Sequence, residues 1–406
     1  MYDEEHRGLD HLGHGPPAHL RAAFVNENIG GHGAMHLYLR HALREHSIEA
    51  TFFDVPPAGA WRRLVAAPVP GLARLDGDLQ ALRYQLAQSA SVRRHLNRLG
   101  PGCGVLHIYT QNAALLSAGI LRSLPSVVST DTTNLVNAYQ LPYRRPGPLT
   151  AASLRPAMAL ERRAFLAATL VVAQSRWTAD QLSAYGVVPD RVRVIPFGVT
   201  VPPPTPRQHS DGVPRITFIG STMIRKGGWQ LLRIFQESLR DRCRLMLVTQ
   251  DTVPATPGIE VLDDVRPGDG RINGVLERSD VFVLPTEIDK VPYSVLEAMA
   301  VGLPVVSTRV GAIPEMVADG ITGILVDAGD DRGLVVGLRR LVDDPDARRR
   351  MGEAARRRVL DHFDARRTTA ALLDVLVEAR DLHRPPAGRA PRAGAFRPAP
   401  DTNPGP

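Results

Sequence analysis

The chain has 406 residues, of which 44% are apolar and 22% are charged. This length predicts two domains, and the composition excludes global disorder and collagen-like sequence. The net charge is +7, but aromatic residues make up only 5% and do not alternate with basic ones, so nucleic acid is not an expected partner.

Cysteine usage and the N-terminal sequence indicate where the protein works. The two cysteines, Cys103 and Cys243, are too few for a disulfide framework and are spaced unlike a zinc site, which fits a reducing cytoplasm. The first residues are acidic and lead into no apolar segment, so the sequence predicts no signal peptide. No apolar run approaches the roughly 18 residues of a membrane span. We expect a cytoplasmic protein; the basic segment 61–65, which contains Trp61, leaves peripheral contact with the inner membrane face as an open alternative.

In chain order, the first half alternates short apolar runs with helical patterns. Residues 1–20 mix Gly, His and Pro without periodicity and predict a flexible lead-in. Short buried-type strands that alternate with helices predict a parallel sheet covered on both faces, in a domain spanning residues 21–200. The strands predicted in this half are 21–26, 51–53, 105–108, 126–129, 170–173 and 192–195.

A proline-rich stretch at 201–206 predicts a linker, after which the same alternation restarts. A second doubly wound α/β domain is expected over 201–365, and ligands of such sheets bind in the cleft beyond the strand ends. A helix at 366–383 is expected to pack back toward the first domain, and the Pro- and Arg-rich residues 384–406 predict a disordered tail. The strands predicted in this half are 216–219, 245–248, 281–284, 305–308 and 323–326.

The segment 284–323 holds the densest pattern of functional residue types. After a predicted strand, a polar loop carries Asp289, and Pro292 begins a helix that contains Glu297. Proline at a helix start leaves free N–H groups on the residues after it, and a helix start beside a strand end binds anions. Glu297, about one turn further in, is suited to accept two hydrogen bonds from a diol such as a ribose. The free N–H groups expected at this helix start belong to Tyr293, Ser294 and Val295.

The run from Asp289 to Glu297, continued by Ala-Met-Ala-x-Gly-Leu-Pro-Val-Val and then Gly-x-Ile-Pro-Glu, closely resembles the C-terminal signature of retaining glycosyltransferases of family four. Upstream, residues 218–228 resemble the family's loop with a Lys-Gly pair, and residues 173–178 and 192–199 resemble the end of its N-terminal domain. The resemblance covers residues 21–383 and is strongest over 216–330. It implies the GT-B fold, in which two Rossmann-like domains face each other across a cleft.

The resemblance implies roles for the residues that match. Lys226 matches the lysine that contacts the donor diphosphate, and Glu297 matches the acid that holds the nucleotide ribose. Gly30 and Gly31 match a loop whose backbone approaches the ligand closely, with an ordinary tight turn as the alternative. The amides that match the diphosphate-binding helix start are those of Tyr293 and Ser294, followed by Val295.

Three positions depart from the family pattern. Asp289 stands where the first acid is usually Glu, and its expected role is to orient sugar hydroxyls. Ser221 stands where the family commonly has Arg, and we expect Arg225 to supply that guanidinium. Asp131 stands near the position of a family histidine; it either holds a sugar hydroxyl or caps a turn, and both readings stay open.

The function that the resemblance implies is transfer of a hexose-type sugar from a nucleotide diphosphate-sugar, with retention and without a metal. No Asp-x-Asp stands at a strand end that faces the cleft, so no metal is expected. The nucleotide diphosphate-sugar is expected as a co-substrate, with no cofactor beside it. The expected partners are the nucleotide-sugar donor and a saccharide, lipid-linked or small-molecule acceptor. Two alternatives stay open: a GT-B nucleotide-sugar epimerase, and a non-catalytic GT-B partner that uses the cleft for binding or assembly.

Overall fold

The computed structural model describes residues 20–27, 32–46, 48–56, 59–99, 102–139, 146–204, 212–265 and 270–384. Within these residues the chain forms two six-stranded sheets in which all neighbouring strands run parallel. The predicted lead-in up to residue 19, the tail from residue 385, and Gly30 and Gly31 lie outside the described residues.

The first sheet consists of β1 (Leu20–Asn26), β2 (Ile48–Asp54), β3 (Val105–Tyr109), β4 (Ser126–Thr130), β5 (Leu170–Ala173) and β6 (Val192–Val194). Its spatial order is β2-β1-β3-β4-β5-β6. Strands β3, β4 and β5 are buried along their whole length, as expected for apolar strands with helices on both faces. Successive strands are added on one side of β1 and then on the other, because β1 pairs with both β2 and β3.

Eight helices accompany the first sheet in the described residues. They are α1 (His32–Leu43), α2 (Ala60–Val65), α3 (Gln80–Leu96), α4 (Gln111–Ala114), α5 (Ala118–Ser123), α6 (Asn134–Asn137), α7 (Thr150–Ala167) and α8 (Arg176–Leu182). Short 3₁₀ turns lie at Leu72–Leu75, Ser183–Tyr185 and Pro189–Arg191. Helix α8 begins where Ser175, as its N-cap, accepts a hydrogen bond from the Thr178 N–H at 3.0 Å.

The second sheet consists of β7 (Arg215–Ile219), β8 (Arg244–Val248), β9 (Ile259–Leu262), β10 (Val281–Leu284), β11 (Val305–Thr308) and β12 (Gly323–Val326). Its order is β12-β11-β10-β7-β8-β9, so the direction reverses between β7 and β10. The helices in this half of the described chain are α9 (Gly228–Ser238), α10 (Arg271–Glu277), α11 (Tyr293–Ala300), α12 (Ile313–Met316), α13 (Asp331–Asp343), α14 (Pro345–His362) and α15 (Ala365–Leu382).

The predicted fold class, two doubly wound α/β domains of GT-B type, is confirmed. Each strand predicted from the sequence is present, with ends that differ by up to three residues. Strand β9 was not predicted, because this edge strand is only four residues long and is only partly buried.

Helix α15 follows the second sheet in sequence but packs on the first. It contacts α1, β3 and β4, and its fully buried Leu373 and Leu376 share an apolar cluster with Phe24 and Val127. The chain crosses between the sheets at two adjacent points, where the Val199 N–H donates to the Phe363 carbonyl and the Ala365 N–H donates to the Val199 carbonyl (2.9 and 3.0 Å).

Candidate active site between the two sheets

Two loops meet where the strand order of the second sheet reverses. The loop after β7 carries Lys226 and the loop after β10 carries Asp289, and the Lys226 ammonium donates to Asp289 Oδ2. Gly227 permits this approach, since its φ of +75° suits glycine and a Cβ there would clash with the Pro285 carbonyl oxygen. A reversal point at the carboxyl ends of parallel strands is where ligands of such folds bind.

The ion pair is largely withdrawn from water. The side chains of Lys226 and Asp289 are 12% and 8% exposed, and Asp289 Oδ1 accepts a further hydrogen bond from the Lys290 N–H at 2.9 Å. Burial lowers the pKa of Lys226, partly offset by the charge of Asp289, and the nearby positive charge of Arg225 lowers it further. Arg225 is half-buried, and its carbonyl accepts a hydrogen bond from the Thr286 hydroxyl at 3.1 Å. The predicted Lys226, Arg225 and Asp289 therefore lie together.

Helix α11 begins beside this pair, with Pro292 as its N-cap. The expectation that three N–H groups are free is wrong for Val295, whose N–H donates to the Pro292 carbonyl at 3.1 Å because the first turn closes tightly. The N–H groups of Tyr293 and Ser294 are the two candidates that this leaves for an anion.

Glu297 faces the first domain. Its Oε1 accepts a hydrogen bond from the Tyr38 hydroxyl of α1 at 2.9 Å, across 259 positions of sequence. Burial raises the pKa of Glu297, and the hydrogen bond from Tyr38 partly offsets that rise. Tyr38 was not predicted from the sequence, because no local pattern on α1 marks a contact with a distant helix.

Aromatic rings extend this contact between the domains. Tyr293 stacks on Tyr38 with ring centroids 6.1 Å apart and on Phe197 at 4.7 Å, and Phe197 meets the edge of Tyr109 at 5.9 Å. The Tyr293 hydroxyl is buried and has no hydrogen-bond partner among the described residues. This aromatic cluster packs across the boundary between the two domains.

Asp131 follows β4 in the first domain and lies near this aromatic cluster. Its negative charge contributes, after burial, to the raised pKa values of Tyr109 and Tyr293. The Asp131 carbonyl accepts a hydrogen bond from the Thr178 hydroxyl of α8 at 2.7 Å. The structure thus places Asp131 within electrostatic reach of the helix start that carries Tyr293.

A second contact between the domains involves the last residue of the Gly-x-Ile-Pro-Glu motif. Glu315 accepts hydrogen bonds from the backbone N–H groups of Arg176 and Trp177, at 2.8 and 2.7 Å, where α8 begins. Arg358 holds this motif in place by donating to the Glu315 and Met316 carbonyls, both at 2.8 Å. The motif was recognised in the sequence, but this role of Glu315 was not predicted from it.

Within the described residues there is no group of three or more His, Cys, Asp or Glu side chains that could hold a metal ion. The same part of the chain contains no helix with the length and apolarity that a membrane span needs. Of the histidines on α1, His36 is buried and bonds Asp54 through Nδ1 at 2.6 Å.

Two protein-family models match the chain. The model for Glycosyltransferase Family 4 matches residues 29–201, and the model for Glycosyl transferases group 1 matches residues 213–344. The chain is 30% identical over 403 residues to alpha-maltose-1-phosphate synthase of Mycobacterium tuberculosis, covering 88% of this chain and 98% of that protein. It is 35% identical over 117 residues to glycogen synthase of the same organism, but that alignment spans only 29% of this chain and 28% of the relative.

Solved structures share the fold. Sucrose-phosphate synthase from Thermosynechococcus elongatus aligns with a TM-score of 0.67 at 16% identity, over 88% of this chain and 98% of that one. The Anabaena protein HepE, solved in complex with UDP-glucose, aligns with a TM-score of 0.61 at 16% identity, over 89% of this chain and 100% of the other.

Proposed function

The chain belongs to the family 4 glycosyltransferases, and we propose that it moves a hexose-type sugar from a nucleotide diphosphate-sugar to an acceptor hydroxyl, with retention and without a metal ion. The observation that carries this proposal is the grouping of Lys226, Arg225 and Asp289 beside the start of α11, with Glu297 one turn further along. The complex of the structurally similar HepE with UDP-glucose supports a nucleotide-sugar donor.

The cations would act on the leaving group. As the bond between the sugar and the diphosphate breaks, negative charge grows on the phosphate oxygens, so contacts to those oxygens strengthen in the transition state. Lys226 and Arg225 would supply an ammonium and a guanidinium, and the start of α11 would supply the Tyr293 and Ser294 N–H groups. These groups would replace the divalent ion that other transferases place on a diphosphate.

The carboxylates would orient the donor. Asp289 would accept from sugar hydroxyls while its second oxygen keeps Lys226 in place. Glu297 would accept from the nucleotide ribose, because Tyr38 contacts only one of its two oxygens in the described structure. In a retaining transfer, the acceptor oxygen forms its bond to the sugar on the face from which the diphosphate departs, and the diphosphate is placed to take the acceptor proton.

A screen of sugar nucleotides by thermal shift tests donor binding. A donor at about 100 times its dissociation constant should add about 2.7 kcal/mol to the free energy of unfolding. Product analysis with an acceptor panel then separates the classes: new glycoside supports the transferase, a converted sugar nucleotide without acceptor supports an epimerase, and binding without turnover supports a non-catalytic partner.

Metal dependence is tested separately. Since the proposed charge compensation comes from Lys226, Arg225 and α11, we expect sugar transfer to continue unchanged in excess EDTA. Loss of activity that Mn²⁺ or Mg²⁺ restores would contradict the metal-free mechanism.

We also propose that the enzyme works in the cytoplasm and contacts an anionic membrane face through α2. Every residue of this helix is at least partly exposed, Trp61 and Leu64 by 72% and 66%, and Arg63 beside them is exposed. The protein should float together with phosphatidylglycerol vesicles. The double substitution Trp61→Ala/Leu64→Ala should abolish this flotation. Equal flotation with phosphatidylcholine vesicles would show that charge plays no part.

A further inference from the structure

A carboxylate that was not predicted from the sequence lies buried inside the first domain. Glu161, in the middle of α7, is fully buried. Its Oε1 accepts hydrogen bonds from Gln111 Nε2 at 2.8 Å and from the Asn134 N–H at 3.0 Å, and its Oε2 lies 3.3 Å from the same N–H. The Tyr185 hydroxyl also donates to it. Such a set of donors is what an ionised carboxylate accepts best.

These donors converge on one segment, residues 131–135, which runs from the end of β4 into the first residues of α6. The Asn134 N–H bonds Glu161 directly, and Gln111 Nε2 donates to both the Thr132 carbonyl (2.9 Å) and Glu161. The Leu135 N–H donates to the Tyr185 hydroxyl at 3.2 Å, which in turn bonds Glu161. Three positions of this segment are therefore tied to a single carboxylate.

The opposite side of the segment is held by neutral groups. Gln181 Oε1 accepts from the N–H and the hydroxyl of Thr133, both at 3.0 Å, and the Thr178 hydroxyl donates to the Asp131 carbonyl. Because hydrogen bonds to a charged group contribute about twice as much as those between neutral groups, Glu161 is the stronger anchor.

We propose that Glu161 is a positioning residue that holds segment 131–135, and with it Asp131, in the geometry needed for sugar transfer. This inference rests on the proposed function, in which Asp131 faces the reacting sugar. Glu161 itself lies too deep to touch a substrate, so it acts through the backbone of the segment.

The surroundings of Glu161 make this anchor sensitive to pH. Burial raises its pKa to about 7, although the hydrogen bonds from Tyr185, Asn134 and Gln111 oppose the rise. Among the described residues, the titratable group that bonds it is Tyr185, from the 3₁₀ turn after α8; Arg122 of α5 is exposed to solvent. The carboxylate therefore takes up a proton as the pH falls through about 7, and the protonated form accepts its donors less strongly.

The pH profile of Glu161→Gln tests the inference. The variant is uncharged at every pH, so we expect kcat/KM for the acceptor to fall about tenfold at pH 8 and to meet the wild-type value at pH 5.5, where wild-type Glu161 is also neutral. Thermal stabilisation by UDP should be unchanged. The matched control is Asp280→Asn, which removes the charge of another buried carboxylate bonded to a backbone N–H, that of Arg215, in the second domain.

A double-mutant cycle shows whether Glu161 acts through Asp131. If it does, the losses caused by Glu161→Gln and Asp131→Asn should be clearly less than multiplicative when combined. Multiplicative losses, or wild-type and variant pH profiles that run parallel, would overturn the inference.

Hydrogen exchange keeps the inference separate from the proposed function. At pH 8, backbone amides of residues 132–136 should exchange faster in Glu161→Gln than in wild type, while those of β10 stay unchanged. Unchanged exchange at 132–136 would overturn the positioning role. Absence of transfer by the wild type with every donor and acceptor would instead contradict the proposed function and leave the exchange result standing.

Discussion

The carboxyl edges of the two sheets each end six parallel strands, but their strand orders and their chemistry differ. At the reversal point of the second sheet, a buried lysine and a buried aspartate contact each other, with an arginine close by. At the corresponding edge of the first sheet, the segment after β4 is held by amides and hydroxyls around Glu161 and Gln181. The edge of the second sheet groups charged side chains beside the cleft. At the edge of the first sheet, the buried charge of Glu161 instead holds the backbone of the segment after β4.

This difference matches what each edge would handle in a glycosyl transfer. A departing diphosphate carries several negative charges, and cations beside a helix start stabilise them in a water-poor site. An acceptor hydroxyl is neutral, so its edge needs accurate placement above all, including the placement of Asp131, whose charge is proposed to favour the reacting sugar. Four substitutions test this difference between the two sheet edges, from the largest expected effect to the smallest.

Lys226→Met should break the charged edge most severely. We expect kcat/KM to fall about a thousandfold, the upper end of what loss of one transition-state donor costs. The substitution also leaves Asp289 buried without its cation, which should destabilise the fold by about 3 kcal/mol. Adding Asp289→Asn should restore the melting temperature without restoring activity; recovery of both would show that the pair is purely structural.

Arg225→Ala tests whether a second cation serves the same edge. Loss of a guanidinium contact to the diphosphate should lower kcat/KM about a hundredfold, and Ser221→Arg in that background should restore part of it. Arg233→Ala is the matched control, since Arg233 is half exposed and pairs with Asp331 on the surface. Activity of Arg225→Ala within about threefold of wild type would remove Arg225 from the proposed mechanism.

Asp131→Asn tests the edge that belongs to the first sheet. Positive charge grows on the sugar as its bond to the diphosphate breaks, and the nearby charge of Asp131 would favour it. We expect kcat to fall about thirtyfold, equivalent to about 2 kcal/mol, with donor binding unchanged. A turn-capping role predicts a lower melting temperature at unchanged kcat, so calorimetry and kinetics together decide between the two.

Glu297→Gln should have the smallest effect, because a ribose contact is equally strong in the ground and transition states. Donor KM should rise about tenfold at nearly constant kcat. Burial raises the pKa of Glu297, so acidification removes its charge at a higher pH than for an ordinary glutamate, and wild-type donor KM should rise as the pH falls. That dependence should be absent in Glu297→Gln; a collapse of kcat at constant KM would contradict the assigned role.

The sequence was informative where function follows directly after a strand. Lys226 and Asp289 each stand in a loop after an apolar run, so their approach to one sheet edge could be predicted. Their direct contact depends on β7 and β10 being neighbours, an order that neither loop encodes locally. The free N–H predicted for Val295 was wrong because the first turn of α11 closes onto Pro292.

Contacts between distant parts of the chain could not be predicted. Tyr38 meets Glu297 only because the two sheets face each other, and Glu161 appears in the sequence as one polar residue in an amphipathic helix. A buried carboxylate and an exposed one look alike without knowledge of what packs against them. The role of Glu315 likewise depends on where α8 begins in the other domain.

The return of α15 to the first sheet has a consequence for how the protein is made. The apolar cluster around Phe24 and Val127 includes Leu373 and Leu376. The domain translated first therefore lacks part of its hydrophobic core until α15 has left the ribosome. The second sheet and its helices span residues 215–362 and are complete before that point. Although domains usually fold in their order of synthesis, here the later one is expected to finish first. A chain truncated before residue 366 and released from the ribosome should therefore carry a protease-resistant second domain and a protease-sensitive first one.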